Sequence, residues 1–83
     1  ITELIVMNTK LVYIYEKLVT HFGSQTLTAK ALGVEQPSVN AWLKGKTKMS
    51  EKTALRAQLA TKGEFKAVDL CPSLKVAFEN LTA

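Results

Sequence analysis

Residues 24–44 read SQTLTAKALGVEQPSVNAWLK, a stretch in which Ala29 stands four residues after Gln25, Gly33 four after Ala29, Val39 six after Gly33 and Trp42 three after Val39. Each spacing has a mechanical reason. Two short helices that cross steeply over a tight turn need a small side chain at their closest approach, and Ala29 supplies it. Gly33 supplies the positive φ of a sharp turn. Val39 and Trp42 share one face of the second of these helices and point inward with Leu32, Val34 and Leu43, so the opposite face is left to solvent. Ser24 is an N-cap for the first helix, Gln25 to Leu32. Glu35-Gln36-Pro37 opens the second, read over residues 35–44, because proline is tolerated in a first turn and a carboxylate complements the helix dipole there.

Working outward on the N-terminal side, Leu11, Ile14, Leu18 and Phe22 recur at three- and four-residue steps, widened by Val12, Tyr15 and Val19, which predicts a helix from about Thr9 that Gly23 terminates. Residues 1–8 are read as an extension with no periodic pattern, within which Met7 could itself start a shorter product. On the C-terminal side, Gly45 ends the second short helix and the basic loop Lys44-Gly45-Lys46-Thr47-Lys48 leads to Ser50, the N-cap of a further helix that Gly63 closes. Phe65 and Val68 are expected in a helical turn. Ser73 is expected to cap a last helix that carries Leu74, Ala77, Phe78 and Leu81 on one face. The expectation is an all-α bundle of about five helices: an extension, a helical domain over 9–63, and a C-terminal extension over 64–83. Phe65, Val68, Leu74 and Phe78 exceed what so small a core requires, which makes that last segment the candidate dimer surface.

Composition narrows the class. At 83 residues with 47% hydrophobic side chains, the chain has the material for one modest core. A formal charge of +4 and a pI near 9.4 suit a polyanionic partner. Cys71 is the only cysteine and His21 the only histidine, so neither a disulfide framework nor a structural zinc site is expected, and no cofactor is. His21 is read as structural. No catalytic residues are expected, since no carboxylate pair, nucleophile–base set or phosphate-cradling glycine loop is recognisable. The apolar run Leu4 to Met7 is too short for a membrane span, and a cytoplasmic protein is expected.

The solvent face of the helix over 35–44 carries Gln36, Pro37, Ser38, Asn40, Ala41 and Lys44. Glutamine and asparagine can pair with adenine N6 and N7, serine serves several base edges, and Ala41 can touch a thymine methyl. These five residues, Gln36, Pro37, Ser38, Asn40 and Ala41, are the candidate base readers. Lys44, Lys46 and Lys48 suit phosphates, as do Ser24, Gln25 and Thr26 around the free amides of a helix N-terminus. Taken singly, each of these side chains is an ordinary surface residue; their arrangement on one face carries the reading.

At these positions the chain resembles the Cro and cI type of phage regulators, especially the short Cro proteins and the YdaS-like antitoxin group. The likeness covers roughly Leu18 to Pro72, through His21-Phe22-Gly23, Gln25, Ala29 to Val34, Gln36, Val39, Trp42 to Gly45, Ala54, Thr61, Gly63 and Leu70 to Pro72. The resemblance implies a lambda-repressor-like helix-turn-helix fold, an operator-binding homodimer formed on double-stranded DNA if not before, and Gln25 as a DNA contact at the start of the second helix. Thr28 departs from a frequent aliphatic residue, Met49-Ser50 from Ile-Pro, and Gln58 and Cys71 from an acid and an arginine. The alternative function is an antitoxin or adaptor that uses the same shape to dock a protein partner. A docking face should show exposed aromatics, whereas amides followed by lysines suit DNA.

Overall fold

The computed structural model describes the backbone of residues 2–82 and the side chains of residues 9–77 and 79–81. The described chain is all-helical: α1 Thr2–Phe22, α2 Gln25–Leu32, α3 Gln36–Leu43, α4 Glu51–Ala60, α5 Ala67–Leu70 and α6 Pro72–Thr82. α1 starts at Thr2, not at Thr9. Extending a helix that packing has already nucleated costs little per residue, so a segment without its own core stripe can still be helical.

The local signals act where the residue types place them. Ser24 adopts extended backbone and its Oγ accepts the Leu27 amide, while Gly33 ends α2 at φ 69° and donates its N–H back into the helix. Ser50 caps α4 in the same way by accepting from the Thr53 amide. The core gathers Leu11, Tyr15 and Leu18 of α1, Ala29 and Leu32 of α2, and Val39 and Trp42 of α3. Met49, Ala54, Ala57, Ala67, Leu70, Cys71 and Leu74 complete it. Ala29 is buried where α1, α2 and α3 meet, as a steep crossing demands.

Three of the departures from the family pattern find partners. Thr28 is fully buried, and its hydroxyl donates to the Ser24 carbonyl at 2.7 Å, which removes the penalty of a polar group in an aliphatic position. Gln58 accepts the Ala67 amide at 2.8 Å and so starts α5, work that an acid could equally do. Met49 is buried and Ser50 caps, so the pair combines the packing of an aliphatic residue with a helix start.

The C-terminal segment needs one correction. α6 begins at Pro72, so Ser73 lies inside its first turn instead of capping it, and its hydroxyl donates to Glu51 at 3.3 Å. Proline at a first helical position competes with serine as a start signal, and here it prevails. Leu74 is buried, and Phe65 and Val68 are half-buried and pack against the core, so these three contribute to the monomer's own packing; the side chain of Phe78 lies outside the described residues. Among the described residues the large apolar side chains left exposed are Tyr13 on α1, Leu27 on α2, Leu55 and Leu59 on α4, and Val76 and Leu81 on α6. His21 stacks edge-on against Phe22 and Phe65 and meets Glu64 at 3.4 Å, joining the end of α1 to the loop after α4. None of the described helices is long and apolar enough to cross a membrane.

Candidate nucleic-acid interface

α2 and α3 are held together across the turn Gly33-Val34-Glu35, with the Val34 amide donating to the Ala29 carbonyl at 3.0 Å. Val39 and Trp42 anchor α3 in the core, which fixes the rotation of the helix about its own axis. On the outer side Gln36, Pro37, Ser38 and Lys44 are exposed, whereas Asn40 and Ala41 are half-buried. The predicted face therefore exists, but its two later members sit lower on the helix than its first three. Eight residues of α3 span about 12 Å, which is the width of a B-DNA major groove.

The start of α2 comes to the same place. Gln25 Oε1 accepts a hydrogen bond from Gln36 Nε2 at 2.7 Å and a longer one from Asn40 Nδ2 at 3.4 Å. Three amide side chains from two helices thus converge on one oxygen. Gln36 keeps its own Oε1 and a second N–H, the donor–acceptor pair that adenine requires, while Gln25 keeps its Nε2 donors. The Ser24 hydroxyl accepts the Leu27 amide and so shapes the helix start, while its own O–H remains a donor. The amides of Gln25 and Thr26 have no acceptor among the described residues, as expected of the first turn of a helix.

At the other end of α3 the loop is basic and anchored. The amides of Lys44, Gly45 and Lys46 return to Asn40, Trp42 and Ala41 carbonyls at 3.0–3.1 Å, and Gly45 turns the chain at φ 71°. Lys44, Lys46 and Lys48 are all exposed. From Gln36 to Ser50 the chain carries three lysines and no carboxylate, so the whole of α3 and its loop presents positive potential; Glu35 and Glu51 flank it. Beneath the loop, the Tyr15 hydroxyl accepts the Met49 amide at 3.0 Å and donates to the Leu70 carbonyl at 2.8 Å. Burial raises the Tyr15 pKa; the Met49 amide opposes that shift and Cys71 adds to it.

Every residue expected to touch nucleic acid lies on α3, at the start of α2 or in the loop that follows α3. The amide cluster and the Tyr15 anchor are what sequence reasoning missed. Neither has a periodic signature, because each joins residues brought together only by the helix crossing.

The model of a family described as bacterial toxin YdaS matches residues 15–77. The regulatory protein cro of Pseudomonas phage D3 is 53% identical over 60 residues, 72% of this chain and 82% of that protein. The regulatory protein cro of Salmonella phage P22 is 40% identical over 53 residues, 63% of this chain and 82% of that protein. YdaS of Escherichia coli (strain K12) is 32% identical over 62 residues, 75% of this chain and 63% of that protein. No solved structure matches the chain.

Proposed function

The chain belongs to the family of phage Cro regulatory proteins and YdaS, and from that premise we propose that it is a sequence-specific repressor that reads a double-stranded DNA operator with α3. The observation that carries this reading is the convergence of Gln36 and Asn40 of α3 on the Gln25 side-chain oxygen of α2, with a loop of three lysines at the other end of α3. A glutamine held by a neighbour enters the groove with its donor and acceptor already oriented, so less side-chain entropy is lost on contact.

In the proposed complex α3 lies in the major groove. Gln36, Ser38 and Asn40 address base edges, and Pro37 and Ala41 meet thymine methyl groups. Gln25 and Thr26 hold one phosphate with the start of α2, where Ser24 sets the backbone, and Lys44, Lys46 and Lys48 hold phosphates at the far end. One such unit reads only a few base pairs. A homodimer that spaces two α3 helices about 34 Å apart, one turn of DNA, supplies the remaining specificity.

The family description speaks of a toxin, but the outer face of α3 favours DNA over a protein target. Its exposed residues are an amide, a proline, a hydroxyl and a lysine, with no aromatic anchor. The test is selection of bound fragments from a random duplex library at about 150 mM salt, where non-specific affinity is weak. Enrichment of a palindrome with half-sites about one turn apart is expected. Failure to enrich any sequence would refute base reading and favour a protein partner.

A further inference from the structure

The centre of the core holds a hydroxyl. Tyr15 is 1% exposed, and its two hydrogen bonds reach residues 34 and 55 positions away, Met49 and Leu70. The bond to Leu70 joins α1 to the end of α5. The bond to Met49 holds the far end of the basic loop.

That loop has few other supports. α3 holds it as far as the Lys46 amide, which donates to Ala41 at 3.0 Å. The amides of Thr47 and Lys48 then have no acceptor among the described residues, and the next one held is that of Met49, by Tyr15. Beneath the loop lies a cavity of about 320 Å³ lined by Leu11, Val12, Tyr15, Trp42 and residues 45–48 of the loop itself. The loop therefore spans a gap, fixed at one end by α3 and at the other by the buried Met49 side chain and by the phenol that holds its amide. The Tyr15 ring also lies 5.9 Å from that of Trp42, the inward anchor of α3, so one side chain touches both α3 and the end of its loop.

We propose that Tyr15 is a positioning residue for DNA binding, whose hydroxyl holds the Met49 amide so that Lys46 and Lys48 stand at a fixed height beside α3. The proposal rests on the DNA-binding reading above. Without the hydroxyl the ring still packs and the Met49 side chain stays in the core, but the Met49 amide loses its acceptor and the backbone leading out of the loop is no longer held at that point. The two lysines must then be ordered on every encounter, which weakens binding to all sequences alike.

The test compares the full-length wild type with Tyr15→Phe, Lys46→Ala/Lys48→Ala and the triple variant, by fluorescence anisotropy on selected and random duplexes. Salt is varied from about 50 to 300 mM, at a temperature well below each variant's Tm. Tyr15→Phe is expected to reduce the slope of log K against log salt by up to about 1.8, two phosphate contacts, and to weaken both duplexes about tenfold. Added to the double lysine variant, it is expected to do nothing further. A Tyr15→Phe protein with a lower Tm but an unchanged slope would overturn the positioning role while leaving DNA binding intact; absence of salt-dependent binding by the wild type would overturn both. Should Tyr15→Phe not fold, hydrogen exchange on the wild type decides. Protection of the Met49 amide comparable to core amides supports the anchor, and exchange as fast as that of Thr47 and Lys48 refutes it.

Discussion

Replacing Gln25 by alanine tests the proposed interface at its most connected point. The substitution removes the oxygen that accepts from Gln36 at 2.7 Å and from Asn40 at 3.4 Å. In the free protein the loss is small: one hydrogen bond of about 0.5–1.5 kcal/mol, toward the low end because Gln36 is exposed, and next to nothing for the longer contact. On the operator the loss is larger. A phosphate contact worth about 1.5–3 kcal/mol disappears, and Gln36 must be ordered on binding at a cost of about 0.5–1.5 kcal/mol. Affinity for the selected operator should therefore fall by about 2–4.5 kcal/mol, roughly thirty- to two-thousand-fold, while urea unfolding shifts by no more than about 1 kcal/mol. Anisotropy titrations of Gln25→Ala, Gln36→Ala and the double variant close a cycle. Its coupling energy should be about 0.5–1.5 kcal/mol, the ordering contribution alone. Effects that add to within about 0.3–0.5 kcal/mol would refute the idea that Gln25 prepares Gln36 for the groove.

Three further outcomes are expected. Asn40→Ala should cost about 1–3 kcal/mol on the selected operator and relax its selectivity, whereas Lys46→Ala should weaken all sequences similarly and lower the salt slope by about one; equal effects of Asn40→Ala on cognate and random duplexes would exclude base reading by that residue. Gly33→Ala should destabilise the fold by about 1–2 kcal/mol in urea unfolding, because alanine must adopt a left-handed φ. Its Cβ would also meet Arg56 Nη1 at 3.1 Å, but that guanidinium can swing away, so full rescue by Arg56→Ala would contradict the backbone account. The Tyr15 pKa lies above its ordinary value because burial disfavours the phenolate. Its contribution to stability should be intact below the unfolded-state value of about 10 and decline as pH rises above it. Urea midpoints from pH 8 to 11 should fall more steeply for the wild type than for Tyr15→Phe.

The parts of this fold that can be read from sequence are those that depend on neighbours in the chain. Ser24, Gly33 and Ser50 act on backbone groups within a few residues of themselves, so their types and positions were sufficient. The inward turn of Val39 and Trp42 follows from helical spacing. The limit comes where a residue's role depends on a partner far along the chain. Phe65, Val68 and Leu74 look surplus until the packing of the other helices is known, and then Leu74 is core and the other two pack against it. Gln25, Gln36 and Asn40 are three unremarkable amides at intervals of eleven and four, and only the crossing of α2 over α3 makes them a cluster. Ser73 and Pro72 both announce a helix start, and sequence alone does not rank them. The N-terminal half of α1 carries little signal of its own and becomes helical by continuation.

The shared oxygen of Gln25 also bears on how an operator for this protein could change over generations. Gln36 and Asn40 lean on the same atom, so in the proposed complex what one does at its base affects what the other can do at its own. A binding-site model that scores each base pair separately should then fail at those two positions, where pairs of substitutions would be tolerated or rejected together. The same dependence applies to the protein: a descendant acquiring a new operator would have to alter residues 25, 36 and 40 as a set. Drift at any one of them would be penalised until the others followed, so divergent relatives should differ at all three or at none.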